Sequence, residues 1–194
     1  MENFENVSCV KFIEILRRKY LTTNSGKREY RYLQVAVDVL TKQERFSTAL
    51  DFYTWLVTYS ATPVVIAYWK VLTAECMLKM NNSKSAKSLL HQAFRLYKQV
   101  LGLGLHEDVL EYLQHKIASS GNSNVPNIDV YGKVARAYRS LGDVYSDEQQ
   151  YNEGIKSLSY SLSIDCLLLH FFTASTDQQR LPSVSDTTSI HQYI

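Results

Sequence analysis

Five histidines have the widest chemical range in this sequence, because imidazole can bind a metal ion or transfer a proton near neutral pH. They are His91, His106, His115, His170 and His191. The closest two, His106 and His115, are nine residues apart. That is about two and a half helical turns, so the rings point in different directions. No HExxH or CxxC motif accompanies them. The spacing argues against a metal site, and we expect exposed or half-buried histidines.

Other catalytic patterns are incomplete. The pair Gly102 and Gly104 lacks the third glycine, the preceding strand and the following acid of a dinucleotide-binding loop. Neither GxSxG nor GxxxxGK occurs. A nucleophilic cysteine needs a paired histidine, and the sequence places none beside Cys9, Cys76 or Cys166. We therefore expect a protein that is not an enzyme and has no cofactor or metal.

The cysteines also indicate a compartment. Three widely spaced cysteines without CxxC suit reduced thiols in a reducing environment. The sequence starts without the basic segment and apolar run of a signal peptide. Its longest apolar cluster, residues 166–172, is far shorter than the roughly 20 residues that span a bilayer. We expect a cytoplasmic or nuclear protein with no membrane association.

Charge is nearly balanced overall but uneven along the chain. The net charge is +2, with 15 basic and 8 acidic residues in the first hundred and 6 against 11 in the rest. Such asymmetry biases the approach of a charged partner or favours head-to-tail association. The pI of 8.3 is below that of a dedicated nucleic-acid-binding surface. A nucleic-acid-binding helical array is therefore only a third hypothesis, after the adaptor and the longer superhelical protein described below.

Composition and periodicity predict an all-α protein. Seven Gly and three Pro are few, and 45% of the 194 residues are apolar, enough for a sizeable core. Apolar periodicity predicts helices over about 7–20, 28–41, 44–59, 63–80, 84–101 and 106–117, and two more after Asp129 and Asp147. We expect a linker near 119–128 and disorder over the polar segment 173–194.

Several residues are predicted to cap these helices. Thr62 precedes Pro63, a typical helix start, and the segment Asn81-Asn82-Ser83 is predicted to end the fourth helix and cap the fifth. Asp129 is predicted to cap the seventh helix. Asp147 with Gln150 resembles a capping box for the eighth.

Residues 138–162 carry an ordered set of large and small side chains over two predicted helices. The set is Tyr138, Leu141, Gly142, Tyr145, Tyr151, Gly154, Leu158, Ser161 and Leu162. This order resembles a tetratricopeptide repeat. Similar sets recur from Leu33 to Leu56 and from Trp69 to Phe94. Ala49, Ala86 and Gly154 occupy the small position where two helices would cross. The large positions, Leu158 among them, would pack against the next hairpin.

The resemblance implies a right-handed α–α superhelix of about eight helices over residues 1–172. In that family the first helices of the hairpins line a groove that binds a peptide or a helix. The corresponding groove positions are Arg31, Gln34, Asp38, Lys70, Arg136, Arg139 and Asp143. Members that bind chaperone tails hold a carboxylate with a basic clamp. Asp38 would repel that group, which disfavours such a ligand.

We therefore expect a non-catalytic adaptor or scaffold that binds a protein segment through a groove. The alternative is part of a longer superhelical protein, such as the arm of a separase-type protease or of a cell-division complex. The apolar run from Leu167 to Phe172 favours this alternative, since a final helix normally shows a polar outer face. We expect Leu167, Leu168, Phe171 and Phe172 to be exposed there and to support self-association.

Overall fold

The computed structural model describes residues 27–60, 62–120 and 125–180, together with positions 11, 15 and 18. Within these ranges every regular element is a helix, which confirms the all-α class. The helices are α1 (Lys27–Lys42), α2 (Phe46–Tyr59), α3 (Pro63–Lys79), α4 (Ser83–Leu101), α5 (Val109–Ser120), α6 (Ile128–Asp147) and α7 (Tyr151–Arg180). Of the helix predicted over residues 7–20, Lys11, Ile15 and Arg18 are helical and exposed. The rest lies outside the described residues.

Four helices end in the same tight turn. The turn contains a residue of positive φ: Glu44 after α1, Asn81 after α3, Gly102 after α4 and Gln149 after α6. In each case the following amide donates to a carbonyl five residues earlier, as in Gln150 N to Tyr145 O at 2.7 Å. This Schellman pattern satisfies carbonyls that the helix end would otherwise leave open. Only one of the four positions is a glycine.

The predicted caps are partly confirmed. Asn82 accepts a bond from the Ser85 amide at 3.2 Å, as expected. Thr62 does precede α3, but its side chain makes no capping bond, and its carbonyl accepts the first amides instead. Asp129 is not a cap, because α6 begins at Ile128 and Asp129 pairs with Lys133 in the first turn.

The predicted capping box between α6 and α7 is wrong. Asp147 is the last residue of α6, and α7 begins at Tyr151. The two residues therefore do not occupy the positions from which a capping box bonds. The turn is closed by backbone bonds and by the left-handed residue Gln149.

The chain divides into two compact units, Met1–Ala93 and Phe94–Ile194. In the first unit α1 packs on α2 and α2 on α3. Helix α3 is buried around most of its circumference, as expected of a central helix. Its Trp69 lies against Tyr53 of α2, with ring centroids 5.9 Å apart. The core contains Val37, Leu40, Ala49, Tyr53, Trp55, Leu56, Trp69, Leu72 and Cys76.

The second unit is built on the antiparallel pair α6 and α7, and α5 also packs on α7. Its buried side chains include Leu113, Tyr131, Val134 and Ile164. Aromatic rings from α4, α6 and α7 contact one another in a row. The ring centroids of Phe94 and Tyr138 are 4.4 Å apart, and so are those of Tyr138 and Tyr160. This unit carries the surface described next.

Helix α7 is longer than predicted. It continues to Arg180, eight residues beyond the expected boundary at Phe172. The chain has no Gly or Pro between Gly154 and Pro182, so nothing in this segment interrupts a helix. Pro182 disfavours helical geometry at the residue before it. Residues 181–194 of the predicted tail lie outside the described residues.

Candidate interaction surface

The rotation of α7 is set by its close crossing with α6. Gly154 is buried there, and a Cβ on it would lie 3.3 Å from the carbonyl oxygen of Gly142. Further along, the Ser161 hydroxyl donates to the Ala135 carbonyl at 2.8 Å. The buried face of α7 consists of Gly154, Ser157, Ser161, Ile164, Leu168 and Phe171. A small residue was predicted at this crossing, and Gly154 confirms it.

A second apolar face of α7 is exposed. Its six large side chains are 43–66% exposed. They are Tyr151, Ile155, Leu158, Leu162, Leu169 and Phe172. The steps between them are four, three, four, seven and three residues. This is the spacing of a helix that packs against another helix along a straight seam. We call these six residues the α7 stripe.

The stripe corrects the predicted apolar interface. Leu168 and Phe171 are buried, at 9% and 7% exposure, and Leu167 is only half-buried. Phe172 is exposed as expected, and Leu169, which the predicted set omitted, is 66% exposed. Successive helical residues differ by about 100°. Leu168 and Leu169 therefore lie on different faces.

The repeat alignment is corrected at the same face. Tyr151, Leu158 and Leu162 were assigned to packing within a repeat array, yet all three are exposed. Leu158 lies over Gly142, where a Cβ would come within 2.7 Å of its Cγ. The large position is thus occupied as expected, but no further hairpin covers it in the described residues.

One ion pair borders the stripe, and a second lies on the far side of α7. Arg139 of α6 contacts Asp165 of α7 at 2.8 Å, and Lys156 contacts Glu153 at 2.7 Å. All four side chains are at least 40% exposed, so these pairs contribute little to stability. The consequence is electrostatic: the Asp165 charge beside the stripe is compensated by Arg139 of the same chain.

The N-terminus of α5 is anchored to α7 through a carboxylate. Asp108 accepts hydrogen bonds from the amides of Leu110 and Glu111 at 2.8 and 3.0 Å and from the hydroxyl of Tyr160. The Leu110 amide also donates to the Tyr160 hydroxyl at 3.0 Å. Burial, with the hydrogen bond to Asp108, raises the pKa of Tyr160 well above its usual value. Burial also raises the pKa of Tyr138 to about 12.

The predicted groove residues are distributed over both units. In the first unit, Lys70 donates to Gln92 at 2.7 Å, and Asp38 is exposed on α1. Arg31 and Gln34 also lie on α1, but their side chains fall outside the description. In the second unit, Arg139 is engaged by Asp165. Arg136 is half-buried and Asp143 exposed on the same helix.

The part of the chain that the structure describes contains no group of three or more His, Cys, Asp or Glu residues placed to hold a metal ion. His91, His106, His115 and His170 are exposed, as predicted, and His191 lies outside the description. Cys76 is buried and Cys166 exposed. Burial raises the pKa of the Cys76 thiol. None of the described helices is both long and apolar enough to cross a membrane.

Comparisons with protein-family models, with curated proteins and with solved structures give no significant match for this sequence.

Proposed function

We propose that this protein is a non-catalytic adaptor that docks a helical segment of a partner protein on the α7 stripe. The observation that carries the proposal is the exposed apolar seam on α7, which is interrupted at Asp165. Over the 21 steps from Tyr151 to Phe172, the seam is about 32 Å long. A helix that presents apolar residues at matching spacing would cover it, whereas an extended peptide would not match its period.

The surface is suited to binding because the face of α7 that supports it is closely packed. The Gly142–Gly154 crossing and the Ser161–Ala135 hydrogen bond set the rotation of α7 against α6. The opposite side of α7 is anchored by the contacts between the rings of Phe94, Tyr138 and Tyr160. The hydrogen bond from the Tyr160 hydroxyl to Asp108 holds it as well. A partner would therefore meet side chains that are already positioned, which reduces the ordering cost of binding.

The tetratricopeptide-like arrangement belongs to this proposal too. Three helix pairs in chain order and buried small residues at Ala49, Ala86 and Gly154 support it. On this view the stripe is the place where a repeat array would continue. In the alternative hypothesis the covering helices belong to a longer superhelical protein. In both hypotheses an amphipathic helix covers the α7 stripe. They differ in whether that helix belongs to a separate partner or to the same polypeptide.

A selection from displayed helical peptides would test the proposal. The library would vary the apolar residues at the first and fourth positions of each heptad. We expect the purified protein to enrich peptides with continuous apolar seams. Leu162→Glu should weaken their binding at least tenfold, because it places a charge in the middle of the seam.

His170→Glu is the matched control, since His170 is exposed on α7 and about 100° away from Leu169. It should bind the selected peptides like the wild type. Peptides that bind both variants equally would move the docking site away from the stripe. Failure to enrich any seam-bearing peptide would contradict the proposed function.

A further inference from the structure

The surroundings of the α7 stripe indicate which helix fits it. From position 151 to position 172 the acidic and basic residues are Glu153, Lys156 and Asp165. Glu153 and Lys156 pair with each other, and Asp165 pairs with Arg139. A surface adapted to a strongly acidic or basic partner would carry uncompensated charge of one sign around its apolar centre. Of these three charges only Asp165 lies beside the stripe, and Arg139 compensates it, so a second identical stripe meets no uncompensated charge of α7.

The size of the stripe also fits self-association. Six side chains of 43–66% exposure amount to about 600 Å² at roughly 100 Å² for each half-exposed large side chain. Two such stripes facing each other would bury about 1,200 Å², the lower limit for specific protein complexes. Because the seam is straight, each copy can supply the helix that the other requires, and the contact closes as a twofold dimer.

We propose that two copies of this chain associate through their α7 stripes in an antiparallel arrangement. This inference rests on the proposed function and names its partner. Asp165 gives the orientation, because it occupies the seam position between Leu162 and Leu169 where the apolar spacing is interrupted. A parallel pair would place both Asp165 side chains in one layer and leave that layer without an apolar contact. An antiparallel pair places Asp165 opposite Leu162 and Ile155 opposite Phe172 of the second copy.

The mass of the full chain in solution, measured by sedimentation equilibrium over a concentration series, tests the association. We expect a reversible monomer–dimer equilibrium for the wild type. Leu162→Glu should shift it at least tenfold toward monomer, with an unchanged helical spectrum, and His170→Glu should leave it as in the wild type. A wild type that stays monomeric at every concentration overturns the dimer. So does a dimer that is indifferent to Leu162→Glu.

Disulfide trapping tests the orientation in a Cys166→Ser background. A mixture of chains carrying Ile155→Cys and chains carrying Phe172→Cys should form a cross-linked heterodimer under mild oxidation. Ile155→Cys alone should not cross-link to itself. Self-cross-linking of Ile155→Cys, or no trapping in the mixture, overturns the antiparallel arrangement. If peptides bind the stripe but the chain is monomeric, the proposed function stands and this inference fails.

Discussion

Leu158 lies directly over Gly142, and a Cβ added to that glycine would come within 2.7 Å of the leucine Cγ. The contact joins the α6–α7 crossing to the α7 stripe, since Leu158 belongs to the stripe and Gly142 to the buried face of α6. Leu158 is 43% exposed, the least exposed of the six stripe residues. The position of one stripe side chain therefore depends on the absence of a side chain on α6.

Gly142→Ala should destabilise the wild type, because the new methyl group must displace Leu158. In a Leu158→Ala background only the Gly154 carbonyl oxygen remains close, at 3.4 Å from the new Cβ, so the same change should be less destabilising than in the wild type. Denaturant unfolding of the four variants would give the coupling energy, which we expect to lie at roughly 0.5–3 kcal/mol.

Gly132→Ala is the control for that cycle. Its Cβ would meet only Leu168 Cδ1, at an ordinary 3.9 Å. It should stabilise the protein in either background by about 0.5–1 kcal/mol. Equal effects of Gly142→Ala with and without Leu158 would show that the close contact is not energetically significant.

Gly154→Leu should act differently, because the neighbours of that Cβ include the Gly142 carbonyl at 3.3 Å and the Ser146 amide at 3.7 Å. Backbone atoms cannot turn aside as a leucine side chain can. We expect a loss of about 1–3 kcal/mol, typical of overpacking. A thermal melt equal to that of the wild type would contradict the observed crossing.

Tyr160→Phe should weaken the attachment of α5 to α7. The change removes a hydroxyl that donates to Asp108 and accepts from the Leu110 amide, at a cost of about 1–3 kcal/mol. Asp108→Ala should cost more, because it also removes the acceptor for two helix amides. Chemical denaturation would measure both. Tyr112→Phe, on α5, serves as a control for loss of a tyrosine hydroxyl.

Alkaline pH should destabilise the second unit. Burial raises the pKa of Tyr131 and of Tyr138 from 10.0 to about 12. The folded state therefore holds these protons more tightly than the unfolded state does. Their contribution to stability is fully present below pH 10 and is lost as pH rises from about 10 to 12. Denaturation at several pH values should show the decline, and Tyr131→Phe should reduce its slope.

Replacing Arg139 with Ala should leave the unfolding free energy within about 0.5 kcal/mol of the wild type, because the Arg139–Asp165 pair is exposed. If the groove binds an acidic segment, the same change should weaken that binding, with a smaller loss at high salt. An affinity measured at two salt concentrations would separate this groove effect from binding at the stripe.

Much of the helix order could be predicted because the chain has strong local signals. Pro63 fixes the start of α3, and the Asn81–Asn82 break separates it from α4, so both bounds were predicted to within one residue. The start of α5 was not. Residues 106–108 continue the apparent period, but Lys98 binds the carbonyls of Leu105 and Glu107 at 2.7 and 2.6 Å and holds this segment as a turn. The start of α5 therefore depends on the Lys98 contact from α4, which apolar periodicity does not show.

The stripe was harder to predict, because apolar periodicity alone does not show which face is covered. Helix α7 carries two adjacent apolar faces, one centred on Ile164 and one on Leu162. A single neighbouring helix needs a stripe of only about 100°. The two apolar faces of α7 together are wider than that, which indicates that a second helix packs on α7. The repeat alignment assigned both faces to packing within one array.

Two of the left-handed turns are sites where substitution by glycine should stabilise this chain. Glu44 and Gln149 adopt φ of 59° and 58°, a conformation that strains a side-chain-bearing residue but not glycine. Such strain costs about 1 kcal/mol per site, and each unit folds in spite of it. Glycine at these turns could offset the cost of substitutions elsewhere. The second unit could then accept new side chains along α7, so that its binding preference could be redesigned without loss of the fold.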